Sequence, residues 1–159
     1  MIKKLVSGGR GHAGEIGNMI LVPGGYKQGA LNPGAVEGEI SGTALTRKGK
    51  EAKRRFGKTC RWCFQISRWR RWSLSKKFAE EFIDGFSTLL ANVAHTVDPH
   101  CFVLGGGVFK SKAYFWDELE KRFNSKIHVG MRNHIPLLFK EIDDCGAIGA
   151  AMLPMSQLD

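Results

Sequence analysis

Three glycine-rich stretches hold the residues whose types and spacing could do chemistry. In Gly11–Asn18, "GHAGEIGN", the carboxylate of Glu15 is followed three residues later by the amide of Asn18. An acid and an amide held on flexible backbone suit hydrogen bonding to a polyol. A solvated loop acid is the ordinary alternative. Glu37, in "PGAVEGEISG", is a second such acid. In Val103–Val108, "VLGGGV", the glycines Gly105, Gly106 and Gly107 follow a short apolar run. Lacking Cβ atoms, they let a ligand approach the backbone closely, at the carboxyl end of a strand where α/β folds bind ligands. A tight turn without a ligand is the alternative, and the motif is neither GxGxxG nor a Walker A loop. "CGAIGAAML", Cys145–Leu153, gives a helix start a smooth face of small residues. That face suits close packing on a sheet or on a flat ligand, and packing is the commoner use.

These residues need elements to position them. Residues 1–38 read as loops around short strands, with "MILV" at 19–22 the best strand candidate. Residues 39–56 start a helix near Ser41, which suits an N-cap. Residues 75–97 form the clearest helix, with Phe78, Phe82, Phe86, Leu89, Leu90, Val93 and Val97 in one apolar stripe. Ser75 caps its start and Asp98-Pro99 ends it. Cys101–Leu104 reads as a strand buried on both faces. "KSKAYFWDELEKRFNSK" is a second amphipathic helix with Tyr114, Phe115, Leu119 and Phe123 inside. "IPLLFKEI" is another buried strand, and the small-residue helix is stopped by Pro154. Helix, strand, helix, strand, helix is an α/β pattern with parallel strands.

The chain of 159 residues is long enough for one domain with a sizeable core, and its 43% hydrophobic and 25% charged content is ordinary for a soluble protein. It has neither a signal-peptide pattern nor an apolar run of roughly 20 residues, so no membrane partner is expected. Cys60, Cys63, Cys101 and Cys145 do not form a small secreted disulfide framework. A cytoplasmic protein with reduced thiols is expected. The net charge of +9 is local: residues 46–77 hold 13 of the 24 basic residues and one acid, Glu51, leaving the rest at −3.

The densest part is "KTCRWCFQISRWRRWS", residues 58–73, with three of the four tryptophans. Arginine interleaved with tryptophan could contact phosphates and stack bases. Cys60-x-x-Cys63 lacks the strand–helix context of a redox pair and needs two more ligands for zinc.

Four motifs in order, "GGRGHAGEIGNM", "GAVEGEISGTAL", "DPHCFVLGGGVF" and "CGAIGAAMLP", make the chain resemble the ROK family of repressors, open reading frames and sugar kinases. The resemblance covers nearly everything outside residues 46–73. The chain looks like the C-terminal lobe of a ROK sugar kinase of the glucokinase or fructokinase type. The resemblance implies an actin-like, ribonuclease-H-like ATPase fold with a mixed sheet flanked by helices. It implies transfer of the γ-phosphoryl of ATP, with Mg2+, to a hydroxyl of a hexose-type sugar. By this resemblance Glu15, Asn18 and Glu37 bind the sugar, Gly105, Gly106 and Gly107 lie against the adenosine, and Gly146–Ala150 begin the helix that closes the lobe.

The departures from the family pattern matter as much. Gln28, Ala30 and Ala35 fall where the family's zinc cysteines stand, and Asn18 replaces its histidine ligand, so no zinc is expected. The catalytic aspartate and phosphate loops of the family's N-terminal lobe have no counterpart, so residues 1–159 are expected to be an incomplete lobe, inactive alone. Missing strands would leave an unpaired edge, and a homodimer is expected. In place of the family's Thr-Ala-x-x-Val-Phe-x-x-Ala-x-x-Gly-Asp stands "TCRWCFQISRWRRW". One permitted coding of Cys60–Trp72, read one base later, gives Ala-Gly-Gly-Val-Phe-Arg-Ser-Ala-Gly-Gly-Gly-Asp, in register with the family. A local frameshift explains the segment better than a site does. Two other readings remain: the sugar-sensing or dimerisation lobe of a ROK repressor, and a nucleic-acid-binding protein acting through residues 47–77. The second is not expected, since the helix-turn-helix of ROK repressors is absent.

Overall fold

The computed structural model describes residues 5–56 and 73–152. The Trp/Arg segment, with Cys60, Cys63 and the frameshift reading, lies outside the described residues across 57–72. The elements run α1 (Val36–Ile40), α2 (Gly42–Phe56), α3 (Ser73–Val97), β1 (Phe102–Leu104), α4 (Trp116–Lys126), β2 (Leu137–Phe139) and α5 (Cys145–Met152). The chain is α/β, and β1 pairs with β2 in parallel. No described helix is long and apolar enough to cross a membrane.

The apolar stripe of α3 makes the core. Phe82, Ile83, Leu89, Leu90, Ala91 and Ala94 are buried, and Leu119 and Phe123 of α4 pack beneath them with no exposed surface. Helix α3 starts at Ser73, which places Ser75 inside it and not at its cap. It ends at Val97, where Asp98 turns to a φ of 44° before Pro99. Ser41 is the N-cap of α2: its Oγ accepts the Ala44 N–H at 3.1 Å.

Several expectations are corrected. "MILV" forms no strand, only a single antiparallel bridge between Ile20 and Ala35. Pro23 has no N–H to continue a ladder, and Met19, Ile20 and Val22 are exposed. Residues 110–126 are not one helix. A 3₁₀ turn, Val108–Tyr114, precedes α4, and Phe115 between them is non-helical at φ −142°. The three-residue period of that turn rotates Tyr114 outward while Phe115 stays buried. The strands are not buried on both faces. Register pairs Val103 with Leu138, and both are exposed, whereas Leu104 and Leu137 face the core. The run is apolar on both faces, but the described helices cover only one. Helix α5 has no buried residue.

Ion pairs clasp α4 to α3. Arg122 Nη2 donates to Glu80 at 2.6 Å and its Nε to Glu118 at 2.7 Å. Lys126 donates to Asp84 Oδ1 at 2.6 Å and Thr88 Oγ1 at 2.7 Å. The hydrogen bond from Arg122 holds the Glu118 carboxyl below its ordinary value, and Glu80 first, then Glu118, raises Arg122. A lowered carboxyl pKa stabilises the fold above the ordinary value of 4.5 and loses that effect as pH falls through the folded value. Thermal unfolding from about pH 6 to about pH 3 should therefore show a small acid loss that Arg122→Met reduces. An identical pH profile in the variant would contradict the clasp.

Candidate functional site

The acidic turn is built from the chain's first loop. A 3₁₀ turn spans Ile16–Asn18, closed by the Asn18 N–H donating to the Glu15 carbonyl at 3.1 Å. This brings the side chains together, and Asn18 Nδ2 donates to Glu15 Oε2 at 3.1 Å. Both are exposed, so their remaining donors and acceptors face solvent.

The second acid arrives by backbone pairing. Leu21 and Val22 N–H groups donate to the Gly34 carbonyl at 2.8 and 3.1 Å, and the Val36 N–H donates to the Met19 carbonyl at 2.8 Å. Helix α1 thus begins beside the acidic turn. Its Val36, Gly38, Glu39 and Ile40 face inward, while Glu37 is exposed. A Cβ built on Gly17 would lie 3.6 Å from Glu37 Oε2, so the Glu37 carboxylate rests against the turn that carries Glu15 and Asn18. The structure joins all three sequence-predicted sugar ligands in one exposed cluster.

The triple glycine follows β1 directly. Gly106 takes φ 101°, open to glycine and strained for other residues, and its carbonyl accepts the Phe109 N–H at 3.2 Å. Gly106 and Gly107 have open space where a Cβ would point, while the stem of Lys140 lies over Gly105. Val108 meets Gly42, the first residue of α2, its Cγ2 3.6 Å from a Cβ built there. The glycine turn and the acidic cluster therefore sit at the two ends of the short Glu37–Gly42 segment. Gly146 and Gly149 of α5 have nothing within 4 Å of a built Cβ, so the close packing expected of that face is not made by the described residues.

Sequence reasoning missed Glu39, Tyr26 and Arg47. Glu39 is buried, accepts the Tyr26 N–H at 2.7 Å and lies 3.6 Å from Lys48 Nζ. Arg47 stacks 3.5 Å from the Tyr26 ring centroid and donates to the Gly38 carbonyl at 3.1 Å. The available signal was a charge on the inward face of "VEGEI", where its neighbours are apolar or glycine. Among the described residues no three His, Cys, Asp or Glu side chains converge to hold a metal.

The backbone matches that of two solved proteins over about half of their length. The ROK hexokinase from Thermus thermophilus superposes with a TM-score of 0.77 at 23% identity, over 94% of this chain and 50% of that one. A ROK family glucokinase from Streptomyces griseus, solved in complex with glucose and AMPPNP, gives 0.68 at 24% identity, over 86% of this chain and 49% of that one. At such identities the likeness establishes the fold, which is the actin-like ATPase fold, and the chain spans about half the length of each relative. The chain belongs to the ROK family, whose model matches residues 1–157. No curated protein sequence matches it significantly.

Gly34 sets the geometry of the cluster. It takes φ 76°, and a Cβ there would overlap the Val22 carbonyl. Gly29 takes φ 53° with free space around it. In urea unfolding, Gly34→Ala should cost more than about 2 kcal/mol and Gly29→Ala about 1 kcal/mol. Equal costs would contradict the close approach at Gly34.

Proposed function

We propose that this chain is the C-terminal lobe of a ROK sugar kinase, which phosphorylates a hexose-type sugar with ATP. The convergence of Glu15, Asn18 and Glu37 around Gly17 carries the reading. Two carboxylates accept hydrogen bonds from neighbouring sugar hydroxyls, charge-assisted and directional. Asn18 donates one N–H to Glu15, which orients its amide and leaves a second N–H for a ring or hydroxyl oxygen. Gly105, Gly106 and Gly107 offer bare backbone to the adenosine of ATP, and Val108 against Gly42 keeps that turn near the sugar cluster. ATP, bound with magnesium, supplies the phosphoryl group.

In this reading the catalytic base and phosphate loops belong to the other half of the fold. None of the 159 residues forms the family's Asp-x-Gly-Gly-Thr or Gly-Thr-Gly motif, and in this reading these residues contribute sugar binding while phosphoryl transfer needs that other half. The lobe works in the cytoplasm as part of a homodimer, and the exposed Val103 and Leu138 leave apolar sheet surface for association.

Calorimetric titration with glucose, fructose and mannose tests the site. At least one should bind, and Glu15→Gln or Glu37→Gln should weaken it about tenfold or more. No heat from any of the three, or unchanged affinity in both variants, would overturn the site. A coupled kinase assay on residues 1–159 should give no turnover, and clear ATP-dependent turnover would show that the machinery is complete.

The chain also holds no structural zinc in this reading, because Asn18, Gln28, Ala30 and Ala35 offer none of the thiolate or imidazole ligands zinc prefers. Metal analysis after dialysis against a chelator should find far less than one zinc per chain. Stoichiometric retained zinc would contradict this.

A further inference from the structure

Among the described residues Glu39 is the one buried charged side chain, whereas Glu37, two residues before it in α1, is exposed. A carboxylate taken out of water is costly unless it is paired and hydrogen-bonded. Its partners show what it holds. Oε1 accepts the Tyr26 N–H at 2.7 Å. Oε2 lies 3.6 Å from Lys48 Nζ, and Lys48 in turn reaches Glu81 of α3 at 3.1 Å.

Tyr26 is the centre of the 22–34 loop. Its carbonyl accepts the Gly34 N–H at 3.0 Å, and its ring lies under Arg47. The Gly34 carbonyl then accepts from Leu21 and Val22, three and four residues beyond Asn18 along the chain. A continuous path therefore runs from Glu39 through Tyr26 and Gly34 to the turn that carries Glu15 and Asn18. Apolar burial secures little of this loop at Val22 and Tyr26, which are both substantially exposed. Polar bonds secure it, and Glu39 supplies the innermost acceptor.

We propose that Glu39 is the positioning residue of the sugar site. It pins the 22–34 loop by accepting from Tyr26, and so sets the Glu15–Asn18 turn against Glu37. The proposal rests on the sugar-site reading for its effect on binding, and stands apart from it for its effect on the loop. Glu39→Gln keeps an acceptor for Tyr26, Glu39→Ala removes it, and Lys48→Met removes the carboxylate's cation and leaves the acceptor.

Amide hydrogen exchange, read residue by residue, together with hexose titration of the same proteins, tests it. Glu39→Ala should speed exchange at Leu21, Val22, Tyr26, Gly34 and Val36 by about tenfold or more and leave buried amides of α3 and α4 unchanged. Hexose affinity should fall by about tenfold, although Glu39 does not reach the sugar. Glu39→Gln should keep both within about threefold of the wild type, and Lys48→Met should speed the same loop amides by a smaller factor. Unchanged loop exchange in Glu39→Ala would overturn the proposal. So would equal acceleration of α3 and α4, which marks a general core role, or a Glu39→Gln protein as disrupted as Glu39→Ala. Should Glu39→Ala not fold, the pattern of Glu39→Gln and Lys48→Met decides the same point. If the wild type binds none of the hexoses, the sugar reading falls and loop exchange alone decides the role of Glu39.

Discussion

Among the described residues α1, α2 and α4 all pack on α3, and at Gly85 the approach to it is close. A Cβ at that position would lie 2.9 Å from Ile40 Cγ2 and 3.0 Å from Leu21 Cδ2. A glycine inside a long helix costs roughly 1 kcal/mol relative to alanine. Here it lets α1 and the Leu21 segment settle directly on the helix. Next to it, Phe82 and Phe86 meet Phe109 edge-on at 6.4 and 5.2 Å, and Phe82 meets Phe115 at 5.3 Å. Phe109 follows Gly107 by two residues. The same helix therefore seats the acidic cluster through Gly85 and the glycine turn through the aromatic cluster. Aromatic rings packed in this way add stabilisation beyond the area they bury.

Much of that platform is legible in the sequence. The stripe from Phe78 to Val93 places α3 because an apolar face repeating every three or four residues buries itself against the core, whereas Val97, expected in the same stripe, lies exposed at the helix end. Ser41 announces α2 because few residues other than Ser, Thr, Asp or Asn satisfy the free N–H groups at a helix start. The motifs around Glu15, Glu37 and Gly105 carried the family resemblance, which the family model bears out across residues 1–157.

What the sequence hid has physical causes. "MILV" is apolar enough for a strand, but a strand needs a partner, and only Ala35 supplies one residue of pairing. Tyr114 sits in a 3₁₀ turn, whose period differs from that of α4 by enough to reverse its side. Cys101–Leu104 reads as doubly buried because both faces are apolar, but burial depends on what lies opposite, and a single strand does not contain that information. Glu39 escaped notice because its role is set by a backbone N–H thirteen positions away. Pattern rules see side chains at helical or strand spacing and do not see such long-range polar contacts.

Two acids from separate segments, Glu15 and Glu37, meet in a single exposed surface around Gly17, the surface proposed to face the sugar. Mapping of amide chemical shifts during titration with glucose, fructose and mannose reads that surface directly. The account predicts saturable shifts for one or more of these sugars, concentrated at residues 14–18 and 34–38 and fading along α4. Saturable shifts centred elsewhere, or at only one of the two segments, would contradict it.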